Sequence, residues 1–203
     1  MKKIILTTLL MFILSGGYVF AGDYVNLKAG QYTPTGDLKS FNFKSGMGYE
    51  VNIGREYNNI AVEFGIGRYE TKAVFSTNTV VGQFTEKDSL TITPATITIK
   101  NIFHIDKIDF YNTIGVGLYF VKLESDFTIG GLHDSKTAND TALGIHAGVG
   151  GNYNITDKIF IGVDAKYIMT EKASGNIEPF GVPVNLKANL NGYVLGMNLG
   201  WKF

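Results

Sequence analysis

The sequence predicts an all-β fold: an eight-stranded antiparallel transmembrane β-barrel with short periplasmic turns and four longer extracellular loops. Eight segments alternate apolar side chains with small or polar ones. Short connections alternate with long ones, and the chain starts with an apolar leader of the kind found on exported proteins. Together these observations predict a chain that crosses a membrane with strands.

The alternation is clearest in the last twelve residues, GYVLGMNLGWKF. From Tyr193 to Phe203 every second residue is bulky and apolar, and the residues between are Val, Gly, Asn, Gly and Lys. A period of two is typical of a strand, because successive side chains point to opposite faces. The bulky face is predicted to meet lipid, with Asn101 and Asn112 as exceptions. The other seven segments are residues 25–30, 47–54, 60–67, 95–104, 110–120, 143–150 and 159–166.

The connections between these segments follow a short–long rhythm. Residues 57–59, 105–109 and 154–158 are short, whereas residues 33–44, 72–89, 126–139 and 172–190 are long and mostly polar. Outer-membrane barrels have short periplasmic turns and longer extracellular loops. A soluble sandwich also alternates but gives no reason for this rhythm. Barrel closure also removes the sheet edges that lipid would not tolerate.

Residues 1–21 have the layout of a secretory signal peptide. Lys2 and Lys3 precede an eleven-residue apolar run, residues 4–14, and small residues surround Ala21. A membrane-spanning helix is the alternative, but the run is shorter than the ~20 residues that a bilayer requires. The predicted division is therefore a cleaved signal peptide over residues 1–21 and an outer-membrane barrel over residues 22–203.

The composition argues against several classes of function. Lysine plus arginine equal aspartate plus glutamate, at 18 each, so we expect no nucleic-acid partner. Cysteine is absent, which excludes disulfides and thiolate chemistry. The three histidines, His104, His133 and His146, stand in no recognisable catalytic or metal-binding spacing. We therefore predict no enzyme activity, no metal and no cofactor.

The predicted inner face divides into two levels. Its many glycines should leave the interior under-filled. The lower level forms an interior polar plug of Lys28, Glu50, Glu63, Lys100, His146, Asp164 and Lys202, in which opposite charges should pair. Towards the extracellular mouth, an apolar cup would suit one small hydrophobic molecule, or its residues would pack on one another or on the loops. The cup residues are Tyr69, Pro94, Tyr119, Val121, Ile168 and Val194, with Ala142 beside them.

The predicted outer face meets outer-membrane lipid and lipopolysaccharide. Trp201 and Phe203 are expected at the periplasmic interface, in an aromatic girdle with Tyr24, Phe103, Phe110 and Tyr153. A final strand ending at Phe203 also resembles the signal by which the barrel-assembly machinery recognises its clients. The resemblance makes that machinery an expected partner.

Most of the chain after the predicted signal peptide resembles the outer membrane protein W family, and the resemblance is clearest in the second half. The similar segments are LTITPATITIKNIF, YNTIGVGLYFVKLESDF, TALGIHAGVGGNYNITDKIFIGVDAKYI and the closing GWKF. The resemblance implies an eight-stranded barrel with a hydrophobic channel, obstructed at its lower end, that takes up small hydrophobic compounds. Sideways exit into the membrane would involve Pro94, which cannot donate a ladder hydrogen bond; alternatively Pro94 only ends strand pairing near a loop.

Two functions follow from these predictions. The first is a barrel that binds or admits small hydrophobic molecules through the apolar cup. The alternative is a packed structural or adhesive barrel that acts through its surface loops without transport.

Overall fold

The computed structural model describes residues 22–80 and 82–203, and the predicted signal peptide lies outside them. In chain order the elements are β1 (Asp23–Pro34), α1 (Gly36–Ser40), β2 (Gly46–Tyr57), β3 (Ile60–Thr79), β4 (Gly82–Ile105), β5 (Ile108–Ile129), β6 (Leu132–Asn154), β7 (Ile159–Thr170), β8 (Lys172–Ile177), a 3₁₀ turn (Pro179–Gly181), β9 (Val184–Asn189) and β10 (Gly192–Lys202). The strands β1–β10–β7–β6–β5–β4–β3–β2 close into an antiparallel barrel in that order. The predicted fold class is confirmed. No helix among the described residues is long and apolar enough to cross a membrane.

The inner and outer faces follow the predicted parity. On β10, Leu195, Met197 and Leu199 are exposed on the outside, whereas Asn198 is buried inside. The prediction that Tyr24 belongs to the aromatic girdle is wrong. Since its neighbour Val25 points outwards, Tyr24 points inwards and is 4% exposed. The other girdle residues, Phe103, Phe110, Tyr153, Trp201 and Phe203, are exposed.

Three short turns join the strands at one end of the barrel. Asn58 and Asn59 both have positive φ, 47° and 67°, as a two-residue hairpin turn that fits the strand twist requires. Asp106 also has a positive φ, 53°. We call this the turn end of the barrel and the opposite end the hairpin end.

Two of the predicted long loops are strands. Residues 72–79 pair with residues 82–89, and residues 122–129 pair with residues 132–139. The apolar outer band stops near Ile66 and Leu143, so these hairpins continue beyond it for roughly 35–45 Å of strand at ~3.3 Å per residue. Their outer faces are polar because they lie in water. Polar segments of this kind are typical of loops, so these strands were predicted as loops.

The other two predicted long loops also contain regular structure. Residues 172–190 form a separate two-stranded hairpin, β8–β9, whose first strand lies against β6. Residues 33–44 contain α1, whose Leu38 is buried and which contacts β9. These two elements fold over the hairpin end.

Pro94 interrupts the β3–β4 ladder without ending it. Pairing runs up to Ile66 opposite Ala95 and resumes at Tyr69 opposite Ile92. On its other side Pro94 stays paired with Tyr119 of β5. Of the two interpretations of Pro94, the pairing favours a local weakening of the wall over an end to the strand.

The glycine-rich inner face is filled by aromatic rings from neighbouring strands. Each of four inward rings lies over the glycine directly opposite it, where a Cβ would collide with the ring. The prediction of an under-filled interior is wrong at these positions, because glycine provides room for a larger neighbour. The pairs are Gly54 with Tyr24, Gly48 with Tyr69, Gly150 with Tyr111, and Gly200 with Phe160.

Candidate ligand cavity and interior polar layer

Buried ion pairs cross the middle of the barrel. Lys100 Nζ donates to Glu63 Oε1 at 2.6 Å, and the Tyr24 hydroxyl donates to the same oxygen at 2.8 Å. Glu50 Oε2 accepts from Lys166 Nζ and from the Tyr69 hydroxyl, both at 2.8 Å. Because each carboxylate has both a cation and a hydroxyl, its burial is compensated.

The remaining predicted plug residues lie at two levels. Lys28 Nζ is 3.7 Å from Asp164 Oδ1 in the middle layer, where His146 Nε2 is 2.9 Å from the Thr98 hydroxyl. Lys202 lies apart, near the turn end, with its Nζ 3.5 Å from Asp109 Oδ2. The structure therefore brings together six of the seven predicted residues and adds Lys166.

The polar layer is tightly filled. The two spaces found among its side chains measure about 10 Å³ each, close to the volume that one water molecule needs. Lys100 Nζ also lies 4.4 Å from the centroid of the Tyr111 ring, which closes the layer further towards the turn end. This packing obstructs the barrel between its two ends.

The predicted cup residues form a packed apolar layer above the ion pairs. Tyr69, Tyr119, Val121, Ile168, Val194 and Ala142 belong to one buried cluster, and Pro94 is fully buried. Tyr32 completes this layer: its ring centroid lies 5.7 Å from that of Tyr69, and its hydroxyl donates to the Leu190 carbonyl at 2.8 Å. The residues thus pack on one another, which is the alternative to a partly empty cup.

An apolar cavity of about 620 Å³ lies one level further towards the hairpin end. Two hairpins, residues 72–89 and 122–139, form its walls, and we call them the tall hairpins. The β8–β9 hairpin covers one side, and α1 with the segment after it lies at the rim. Of the predicted cup residues, Val121 lines it. Its other apolar lining includes Leu38, Phe43, Ala73, Phe84, Leu90, Leu123, Phe127, Ala138, Ala173, Ile177, Leu186, Ala188 and Leu190.

Four phenylalanine rings run in a row along this cavity. Phe75, Phe84, Phe127 and Phe180 have successive centroid separations of 6.5, 6.4 and 6.4 Å. The sequence analysis missed these lining residues because it assigned their segments to loops. The signal was present, since Phe75 with Ala73 and Phe127 with Leu123 continue the inward parity of their strands.

Carboxylates supply the charge in the cavity wall. Glu86, Asp88 and Asp140 line it, and burial raises the pKa of Glu86 and of Asp88. The Asp140 carboxylate accepts a hydrogen bond from the Ser174 backbone N–H at 2.6 Å. The cavity is therefore apolar with an acidic side.

No histidine lines this cavity, and the three histidines lie at different levels of the molecule. His104 contacts Asp109 and Glu56 at the turn end, at 2.7 and 2.9 Å, and His133 contacts Thr128 near a hairpin tip. Within the described ranges, no group of three or more histidines and carboxylates is placed to hold a metal ion.

A closed eight-stranded barrel with an apolar outer band and a polar core is an outer-membrane β-barrel protein. The chain matches the family described as Outer membrane protein beta-barrel domain over residues 7–203, and it belongs to that family. No match is found among the curated proteins.

Two solved structures share the fold at low sequence identity. Neisserial surface protein A is 16% identical with a TM-score of 0.55, and the match covers 90% of this chain and 98% of that one. A major outer membrane protein from Thermus thermophilus is 13% identical with a TM-score of 0.54, over 89% and 99%. At these identities the likeness concerns the fold.

Proposed function

We propose that this outer-membrane barrel binds or admits small hydrophobic molecules at its extracellular side, taken to be the hairpin end. The observation that carries the proposal is the cavity of about 620 Å³ with its apolar and aromatic lining. Ligand pockets of ~300–1,000 Å³ with such a lining are typical of small-molecule sites. The site lies one level above the predicted cup, in the space between the tall hairpins and β8–β9.

The interior of the barrel favours binding, or transfer sideways, over free passage. The ion-pair layer obstructs the route towards the turn end, while the interrupted β3–β4 ladder at Pro94 lies beside the apolar layer. The resemblance to the outer membrane protein W family supports the same activity. An enzyme activity is not part of the proposal. The proposed partners of the barrel are lipopolysaccharide and, through Phe203, the assembly machinery.

The variant Ala188→Trp tests the cavity directly. Ala188 lines the cavity, so an indole there should occupy part of it and weaken binding of naphthylmethanol by about tenfold or more. Binding is measured by calorimetry on the barrel in phosphatidylcholine nanodiscs, with empty nanodiscs subtracted.

Native mass spectrometry of the gently extracted wild-type barrel would show whether an apolar molecule is retained.

Asn185→Trp is the matched control, because Asn185 lies on the same hairpin and is exposed. It should bind the probe like the wild type. If the wild type and Asn185→Trp both fail to bind naphthylmethanol, and the extracted wild-type barrel carries no apolar adduct, the hydrophobic-site proposal fails.

The second candidate is an adhesive or structural barrel that acts through its surface. The two hairpins that continue for roughly 35–45 Å of strand beyond the apolar band favour it, since they present polar strands to the medium. A barrel that binds no apolar probe would point to this function.

A further inference from the structure

The three carboxylates of the cavity wall have no cation beside them in the lining. Among the described residues that line the cavity there is no lysine, arginine or histidine. Of the four lysines in the two tall hairpins, Lys72, Lys87 and Lys122 are exposed on the outer face, where Lys122 pairs with Glu124 at 2.7 Å. Lys136 lies on the inner face but outside the lining, and it pairs with Asp134 at 3.0 Å. The charge of the cavity is therefore negative.

Two of these carboxylates are left without strong partners. Asp88 Oδ1 is buried without a hydrogen-bond partner, and the neutral Ser125 hydroxyl is the group that lowers the pKa of this carboxyl. For Glu86, burial and the neighbouring Asp88 both raise the pKa, and no cation or hydrogen-bond donor among the described residues opposes them. Glu86 and Asp88 are two residues apart on the inner face of β4 and repel each other. Burial of two such groups is unfavourable unless a positive charge compensates it.

The aromatic row adds a second attraction for the same charge. Phe84 lies two residues from Glu86 on the same strand face, and its ring continues to Phe75 on one side and Phe127 on the other. The face of an aromatic ring attracts a cation and offers apolar contact to the rest of a ligand.

We propose that the cavity binds hydrophobic cations, namely alkyl- or arylammonium compounds, with the positive group beside Glu86 and Asp88. The apolar part of the ligand lies along the phenylalanine row. This inference rests on the proposed function, because it names the class of molecule that the same cavity takes. Carboxylate-bearing amphiphiles such as fatty acids are repelled by the same wall.

The test uses three probes with one ring system and different charge. They are naphthylmethylamine, which is protonated at neutral pH, naphthylmethanol and naphthoate, titrated into the barrel in phosphatidylcholine nanodiscs. The wild type should bind the amine about tenfold more tightly than the alcohol, because the amine gains an ion pair and a cation–π contact. It should bind naphthoate most weakly. The double variant Glu86→Gln/Asp88→Asn should lose most of this preference, because only the phenylalanine row and Asp140 still favour the amine.

The matched control is Glu124→Gln. It removes one carboxylate from the outer face of β5, the strand next to β4 in the barrel wall. It should keep the preference for the amine, and circular dichroism should show that all variants are folded. Equal binding of amine and alcohol by the wild type, or an unchanged preference in the double variant, overturns the cation proposal while the hydrophobic site stands. Absence of binding by all three probes overturns both.

Discussion

Replacing Lys100 by methionine should lower the free energy of unfolding by about 3–5 kcal/mol, which is the cost of leaving a buried charge unpaired. Lys100 and Glu63 are each 1% exposed, and the Lys100 ammonium is the cation that directly contacts the Glu63 carboxylate. Methionine fills similar space without the charge, so Glu63 would lose its directly contacting cation and keep the Tyr24 hydroxyl as its hydrogen-bond donor. Urea unfolding of the barrel in lipid vesicles measures the change.

Lys122→Met is the control for this prediction. It also removes a lysine from a lysine–glutamate pair, but both side chains are nearly half exposed, so the loss should stay below about 1 kcal/mol. Adding Glu63→Gln to Lys100→Met should restore part of the stability. Equal losses in the two lysine variants would show that burial does not set the strength of the interior pair.

Gly150→Ala should destabilise the barrel by about 1–3 kcal/mol, the usual cost of overpacking. A Cβ on Gly150 would lie 2.5 Å from the Tyr111 ring, which is buried and lies under the Lys100 ammonium. The ring would have to move, and the polar layer above it would move as well. Equilibrium unfolding in vesicles and the near-ultraviolet circular dichroism of the buried tyrosines report the two effects.

The adjacent Gly151→Ala is a close control, because it makes the same change on the outer face. The nearest atom to its Cβ would be 3.6 Å away, an ordinary contact, and neither backbone position has a positive φ. Its stability should stay within about 0.5 kcal/mol of the wild type or rise slightly. If the two alanine variants are equally stable, the ring–glycine fit does not constrain the interior.

The sequence indicated the membrane-crossing strands because lipid imposes a simple rule on them. Each outward residue of residues 193–199 or 143–149 must be apolar, so the alternation can be seen one strand at a time. The same parity placed Lys100, Glu63 and Asp164 inside. The error at Tyr24 came from reading an aromatic near a strand end as a girdle residue against the parity of its own strand.

The upper half of the molecule could not be predicted in this way. Above the apolar band both faces of a strand tolerate polar residues, so in residues 72–89 and 126–139 the alternation that marks a strand survives only at a few inward positions such as Phe75 and Phe127. Their structure depends on hydrogen bonds between two strands, and such pairing is a long-range property. The phenylalanines that line the cavity were missed for this reason.

By itself the sequence determined the number of barrel strands, the two faces of the barrel, the turn end and the charged groups inside, since each of these depends on residues close together in the chain. Only the tertiary structure decided which groups meet. Glu50 and Lys166 are 116 residues apart along the chain, and each glycine meets its ring through the register between strands. The cavity exists because β8–β9 folds back beside β6, where the Ser174 N–H of β8 donates to the Asp140 carboxylate of β6.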